Sequence, residues 1–126
     1  MTPKVLIAED ETEVLSALAE WMKQAGFEPI IAEDGETALA KAKAEHPSVI
    51  LMDVMLPKLN GWEVCQQLKH DPAYKQIPII LLSALIREES GHDELDLADA
   101  HLPKPLRPEQ IVAKIRDLLS RQHPAP

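Results

Sequence analysis

Three short runs of this sequence are apolar at every position, and they constrain the fold more than any other feature. The runs are VLIA from Val5, VILM from Val49 and IILL from Ile79. A strand with one solvated face alternates apolar and polar residues, whereas an unbroken apolar run of this length suits a strand covered on both faces. Such strands occur in parallel sheets with helices packed on each side, so the sequence predicts an α/β fold.

The segments between these runs have the residue spacing of amphipathic helices. Val14, Leu15, Leu18 and Met22 recur at helical intervals, and Gly26 is placed to end that helix. The other predicted elements are a strand at Glu28–Ala32, a helix at Glu36–Glu45, a helix at Gly61–His70, a strand at Ile77–Leu82, a short strand around Leu102 and a helix at Pro108–Arg121. We therefore predict a doubly wound parallel sheet of five strands, with about five helices on its two faces.

One segment, Arg87–Asp99, fits this pattern poorly. It should hold the fourth helix, yet it contains Ser90-Gly91, many acidic residues and a thin apolar stripe. We expect a short or irregular helix there.

Length, charge and cysteine content narrow the class of protein. The 126 residues fit one domain, which we place at residues 1–122, with 123–126 as a frayed tail. The formal net charge of −8 argues against direct binding to nucleic acid or to an anionic membrane. The apolar run Val5–Ala8 is too short for a signal peptide or a membrane span, and the single cysteine, Cys65, permits no intramolecular disulfide. We expect a cytoplasmic protein.

Side chains suited to phosphate chemistry stand where the predicted strands end. The set comprises an acidic triplet, a further acid, a hydroxyl and an ammonium: Glu9-Asp10-Glu11, Asp53, Ser83 and Lys104. In an open parallel sheet, ligands bind beyond the carboxyl ends of the strands, so these groups should converge at one edge. Clustered carboxylates favour a hard cation such as Mg²⁺, and a carboxylate can also attack phosphorus as a nucleophile.

Each of these residues also has a plain structural interpretation. Glu11 alone suits the N-terminus of the following helix, and that is the better interpretation of it. Ser83 alone is more often a packing residue, and Lys104 alone is usually a solvated charge. Asp53 is the hardest to explain in this way, because an acid directly after a buried strand carries a desolvation cost that something must compensate.

Four stretches together resemble the receiver domain of two-component response regulators. They are KVLIAEDE, VILMDVMLPKLNGWEV, PIILLSA and ADAHLPKPL, in that order, and the resemblance extends from Lys4 to about Leu119. The resemblance implies a flavodoxin-like sheet with strand order 2-1-3-4-5, for which a member of this family is a standard example.

The resemblance also implies a role for each site residue. Asp53 would accept the phosphoryl group, and Ser83 and Lys104 would contact it. Mg²⁺ would be held by Asp10 directly, by Asp53, by Glu9 directly or through water, and by the backbone carbonyl of Met55. The Lys104-Pro105 peptide bond is expected to be cis.

The chain departs from the family pattern at two positions and in one segment. Glu9 stands where aspartate is commoner, which lengthens one ligand arm. In the family, the position of His101 usually holds Tyr or Phe, whose rotation reports phosphorylation. The resemblance thus implies a switch formed by the Ser83 hydroxyl and the side chain at position 101. Both a switch role and a plain surface role remain open for His101. The third departure is the acidic segment Arg87–Asp99, which makes the usual output surface hard to predict.

The favoured function is a phosphorylation-activated signalling switch rather than a turnover enzyme. The donor would be a phosphohistidine on a sensor histidine kinase or a histidine phosphotransfer protein, and output would pass to an unknown partner or to an effector domain outside this sequence.

One alternative is a Mg²⁺-dependent aspartyl phosphatase, which Met55 disfavours because such enzymes place an acid two residues after the nucleophile. Another is a degenerate receiver acting as a scaffold, which the complete set of site residues disfavours. Met55 and Leu85 offer no polar group to orient water, so we expect slow loss of the phosphoryl group.

Overall fold

The computed structural model describes residues 2–83 and 97–122, which form alternating strands and helices. The strands are β1 (Lys4–Ala8), β2 (Glu28–Ala32), β3 (Val49–Asp53), β4 (Ile79–Ser83) and β5 (Ala100–Pro103). The helices are α1 (Thr12–Gln24), α2 (Gly35–Glu45), α3 (Gly61–Lys69) and α4 (Pro108–Gln122). The predicted α/β class is confirmed. The predicted helix at Arg87–Asp99 lies outside the described residues up to position 96, and so do Leu85 and the tail 123–126.

The five described strands form one parallel sheet in the order β2-β1-β3-β4-β5. This is the order that the resemblance implied. Because every strand runs in the same direction, all their carboxyl ends lie at one edge of the sheet.

Alternate residues of the central strands supply two separate cores. In β3, Ile50 and Met52 face a cluster with α2 and α3, whereas Val49 and Leu51 face a cluster with α1 and α4. All four side chains are fully buried, which explains why the strand lacks a polar position before Asp53.

The helix boundaries follow from local capping. Gly26, at φ +94°, ends α1: its amide and that of Phe27 donate to the carbonyls of Lys23 and Met22, as in a Schellman motif. Helix α2 begins one residue earlier than predicted, because the Asp34 carboxylate accepts the amide of Thr37 at 2.7 Å. Glu11 occupies the N-cap position of α1, but its side chain makes no capping hydrogen bond.

The amino end of β4 lies two residues later than predicted. Pro78 has no amide donor, and the Ile77 amide bonds back to the Tyr74 carbonyl in a turn. Three other ends differ from the prediction by one residue: β4 ends at Ser83 rather than Leu82, α3 stops at Lys69 rather than His70, and α4 extends to Gln122 rather than Arg121.

Strand β2 lies at one edge of the sheet, and its outer side is partly obstructed. Pro29 supplies no amide hydrogen there, and the Lys41 ammonium, from α2, donates to the Ile31 carbonyl at 2.6 Å. The Ile31 side chain is 46% exposed.

The Lys69 ammonium holds together the amino ends of β4 and β5, at the edge of the sheet opposite the carboxyl ends. It donates to the carbonyls of Lys75 and Ile77 and to the Asp99 carboxylate, at 3.1, 2.9 and 2.7 Å. Asp99 also accepts the Ile79 amide at 2.8 Å, so one cation joins α3, the following loop and the starts of β4 and β5.

This network predicts that Lys69→Met destabilises the fold by about 2 kcal/mol, because the variant keeps the aliphatic stem but removes the donor that two carbonyls and the Asp99 carboxylate share. Urea unfolding measures the change. Lys75→Met is the matched control: the Lys75 side chain is exposed and its carbonyl survives the substitution. Equal stability of the two variants would contradict the assigned role of Lys69.

Candidate functional site

The polar groups predicted at the strand ends meet at the carboxyl edge of the sheet. The Lys104 ammonium lies 2.7 Å from Asp53 Oδ2 and 3.2 Å from Glu9 Oε1. Glu9, Asp10 and Asp53 each bring a carboxylate oxygen within 4.8 Å of the other two. Residues distant in the sequence therefore form one cluster, as the strand ends predicted.

Asp53 is the last residue of β3, and its carboxylate is held from two sides. The Met55 amide donates to Oδ1 at 2.9 Å, and Lys104 donates to Oδ2. The side chain is nearly buried, with 4% of the residue exposed. These two donors offset the desolvation cost that made this residue conspicuous in the sequence.

Glu9 follows β1 and is fully buried. Its Oε2 accepts the Glu11 amide at 3.0 Å, while Oε1 faces Lys104. Burial raises the pKa of the Glu9 carboxyl to about 7; the negative charge of Asp53 adds to this rise, and the Glu11 amide and Lys104 oppose it. Glu9 therefore titrates near neutral pH in the metal-free site.

Lys104 is positioned by the end of β4. Its amide donates to the Ser83 carbonyl at 3.0 Å, and the Lys104-Pro105 bond is cis, as expected. Burial alone would lower the pKa of the Lys104 ammonium, but the hydrogen bond to Asp53 and the charges of Asp53 and Glu9 outweigh it and raise that pKa. The ammonium therefore stays charged.

Ser83 is the last residue of β4 and is buried, with 2% exposed. It pairs in register with Pro103, directly before Lys104. This places Ser83 at the same edge as the carboxylates.

The donor set fits a hard divalent cation. Glu9, Asp10 and Asp53 offer only carboxylate oxygens, which are the ligands such ions prefer, and Asp10 is exposed to solvent. The Met55 amide bonds Asp53, so the backbone carbonyl of Met55 belongs to a residue that already contacts this donor set. The Met55 side chain is 66% exposed.

His101 stands in β5, two residues before Pro103, the register partner of Ser83. It is half-buried in β5 and pairs in register with Leu81, whose side chain packs in the core with α2 and α3. Its suggested switch role stays a prediction.

Two features of the site were absent from the sequence predictions. One is the direct contact of Glu9 with Lys104, for which the longer arm of glutamate was the available signal. The other is an open groove of about 420 Å³ between α1 and the turn after β5. Its lining is mostly apolar, with charged groups at the site end: Val14, Ala17, Trp21, Pro105, Leu106, Glu11, Glu13 and Lys104.

Comparisons with known proteins agree on one family. The sequence model described as "Response regulator receiver domain" matches residues 5–116. The alkaline phosphatase synthesis transcriptional regulatory protein PhoP of Bacillus subtilis (strain 168) is 38% identical over 122 residues, which are 96% of this chain and 50% of that protein. The probable transcriptional regulator ycf27 of Cyanophora paradoxa is 40% identical over 119 residues, or 94% of this chain and 48% of that protein.

A solved structure gives the same result for the fold. The Francisella response regulator 1452 receiver domain superposes with a TM-score of 0.87 at 28% identity, covering 96% of this chain and 99% of that one. The chain thus matches a whole receiver domain, but it spans about half the length of the curated relatives. Within residues 2–83 and 97–122, no helix is long and apolar enough to span a membrane.

The raised pKa of Glu9 predicts that the stability of metal-free protein depends on pH. Because the pKa rises from its ordinary 4.5 to about 7 on folding, protonated Glu9 favours the folded state. The contribution of protonated Glu9 to the free energy of unfolding is complete below about pH 4.5 and is lost as the pH rises through about 7.

Urea unfolding with a chelator present measures this change. Between about pH 4.5 and 7, the free energy of unfolding of wild type should fall by up to about 3 kcal/mol relative to that of Glu9→Gln. The neutral amide of the variant does not titrate, so the difference isolates Glu9. A difference that stays constant between these pH values would contradict the assignment.

Proposed function

The chain belongs to the response regulator receiver domain family, and we propose that Asp53 is the residue through which it acts as a phosphorylation-activated switch. The observation that carries this proposal is the buried Asp53 carboxylate, held between the Met55 amide and the Lys104 ammonium. These contacts fix the carboxylate at the edge of the sheet, where a phosphoryl donor can approach.

The proposed reaction transfers a phosphoryl group from a phosphohistidine to Asp53. A carboxylate oxygen of Asp53 forms a bond to phosphorus, the phosphorus–nitrogen bond breaks, and its electron pair returns to the imidazole of the donor. Such a transfer needs mainly positioning and neutralisation of charge. Lys104 supplies positive charge beside Asp53, and we assign the Ser83 hydroxyl as a hydrogen-bond donor to a phosphoryl oxygen.

We assign Mg²⁺ to the neighbouring acidic cluster. Asp10 and Asp53 would hold it, with Glu9 as a direct or water-mediated ligand and the Met55 backbone carbonyl as a further one. When bound, Mg²⁺ neutralises charge on the phosphoryl oxygens. Binding requires ionised carboxylates, so Mg²⁺ would compete with protonation of Glu9, whose pKa burial raises to about 7.

We further infer that the partner carrying the phosphohistidine docks in the groove beside α1. The groove is open, is lined by apolar side chains such as Val14 and Trp21, and ends at Lys104. A sensor kinase or phosphotransfer protein that laid an apolar helix face there would bring its histidine towards Asp53.

We propose that a surface other than the groove beside α1 passes the signal to the next protein or domain. We take the receiver domain as residues 1–122, with His101 and the segment 87–99 as candidate switch elements that respond to Ser83. Because the matched relatives are about twice as long and are named as transcriptional regulators, either an effector domain beyond this sequence or a separate partner would receive the signal.

We assign no direct contact with nucleic acid or membrane to this domain, and we place it in the cytoplasm, where its one cysteine, Cys65, would stay reduced.

We propose slow self-catalysed loss of the phosphoryl group rather than turnover of small phosphate esters. Met55 stands two residues after Asp53, and its exposed thioether gives no acid or base there to activate water.

Labelling with acetyl phosphate and Mg²⁺ tests the role of Asp53. Intact-mass spectrometry should show one added phosphoryl group on wild type, none on Asp53→Ala and full labelling of Glu33→Gln, an exposed acid after β2. After removal of the donor, the label should persist for minutes or longer. Unlabelled wild type, labelled Asp53→Ala or a half-life of seconds would each refute part of the proposal.

Ala17→Glu tests the docking groove. A charge placed among these apolar side chains should slow transfer from a sensor kinase that phosphorylates the wild type by about tenfold or more, which corresponds to about 1.4 kcal/mol. Labelling by acetyl phosphate should not change, because that donor needs no docking surface. Ser16→Glu, on the exposed side of α1, is the control, and equal kinase rates for the two variants would refute the groove.

A further inference from the structure

The loop between β3 and α3 contains a strained turn at Lys58. The Leu59 amide donates to the Pro57 carbonyl at 2.9 Å, which closes a three-residue turn around Lys58. Lys58 has φ +72°, a conformation that is rare and strained for a residue with a side chain. Such a residue persists only when its surroundings hold it in place.

The N-terminus of α2 holds this turn. The Gly35 amide donates to the same Pro57 carbonyl at 3.1 Å, and a Cβ added at Gly35 would overlap the Leu59 carbonyl. The backbones of the helix and the loop therefore approach so closely that only glycine fits at position 35. Asp34, the N-cap of α2, also lies 3.8 Å from the Lys58 ammonium.

The part of this loop nearest β3 is fixed separately. The Val54 carbonyl accepts the amides of Leu56 and Gly61, at 3.1 and 2.8 Å. Met55 therefore lies between two anchored points: the Val54 carbonyl on one side and the turn at Pro57 on the other. Its amide is the group that donates to Asp53 Oδ1.

We propose that Gly35 is a positioning residue for the Asp53 site, although α2 contributes no side chain to that site. By holding the strained turn at Lys58, the Gly35 amide sets the path of the loop and hence the direction of the Met55 amide and carbonyl. The inference rests on the proposed function for its effect on phosphorylation. Its effects on the loop and on Mg²⁺ affinity can be measured independently.

The test compares Gly35→Ala with Ala40→Gly. The first adds a methyl group against the Leu59 carbonyl. The second weakens α2 at an exposed position in its middle and leaves the loop untouched. In both, ¹⁵N-labelled protein reports the Met55 amide by NMR, calorimetry measures Mg²⁺ affinity, and acetyl phosphate measures labelling.

Gly35→Ala should shift the Met55 amide resonance, weaken Mg²⁺ binding about tenfold and slow labelling, because a group that orients a ligand-bearing segment has moved. Ala40→Gly should lower the melting temperature and leave all three readouts as in wild type. An unchanged Met55 resonance and Mg²⁺ affinity in Gly35→Ala would overturn the inference, and so would equal losses in both variants.

If Gly35→Ala does not fold, Asp34→Ala replaces it, because it removes the N-cap of α2 without adding an atom against the loop. It should produce the same changes to a smaller degree, and a folded Asp34→Ala with an unchanged Met55 amide would overturn the inference. Wild type that binds Mg²⁺ but takes no phosphoryl group would refute the proposed function alone, since the NMR and Mg²⁺ comparison would still decide the role of Gly35.

Discussion

Two buried carboxylates at one end of the sheet, Glu9 and Asp53, form the constraint on which the rest of this domain depends. Two like charges removed from water are costly unless cations or amide donors face them. Lys104 meets both carboxylates, and the amides of Glu11 and Met55 each bond one of them. The loops after β1, β3 and β5 are thus arranged around these two side chains. Burial, with a smaller contribution from the charge of Asp53, still raises the pKa of Glu9 to about 7, so these donors offset the cost of burying its charge only in part.

Much of the fold was predictable because its causes are local. The unbroken apolar runs predicted strands covered on both faces, and Gly26 predicted the end of α1 because glycine readily adopts positive φ. The order of the strands has no local cause, and only the family resemblance supplied it. The start of β4 was misplaced because the Pro78 ring and the turn from Tyr74 outweighed the apolar pattern of Ile77.

The candidate site was predictable as a set of residues but not as a set of contacts. Parallel strands bring their carboxyl ends together, so the positions of Glu9, Asp53, Ser83 and Lys104 followed from the strand pattern. The ion pair of Glu9 with Lys104 joins residues 95 positions apart, and its geometry depends on loops that have no periodicity. The contact of Gly35 with the Pro57 carbonyl was missed for the same reason. The chemical roles of these residues, including the switch role of His101, stay predictions.

The obstructed outer side of β2 has a consequence for how molecules of this protein meet one another. An open strand edge offers a row of amides and carbonyls to which a second chain can add, and that is a common start of aggregation. In β2, Pro29 removes one amide from this row and the Lys41 ammonium occupies the Ile31 carbonyl. A second chain would have to displace a charged side chain to continue the sheet there, despite the exposed Ile31 side chain. Copies of the domain can therefore be crowded together, or tethered side by side, with little tendency to polymerise through that edge.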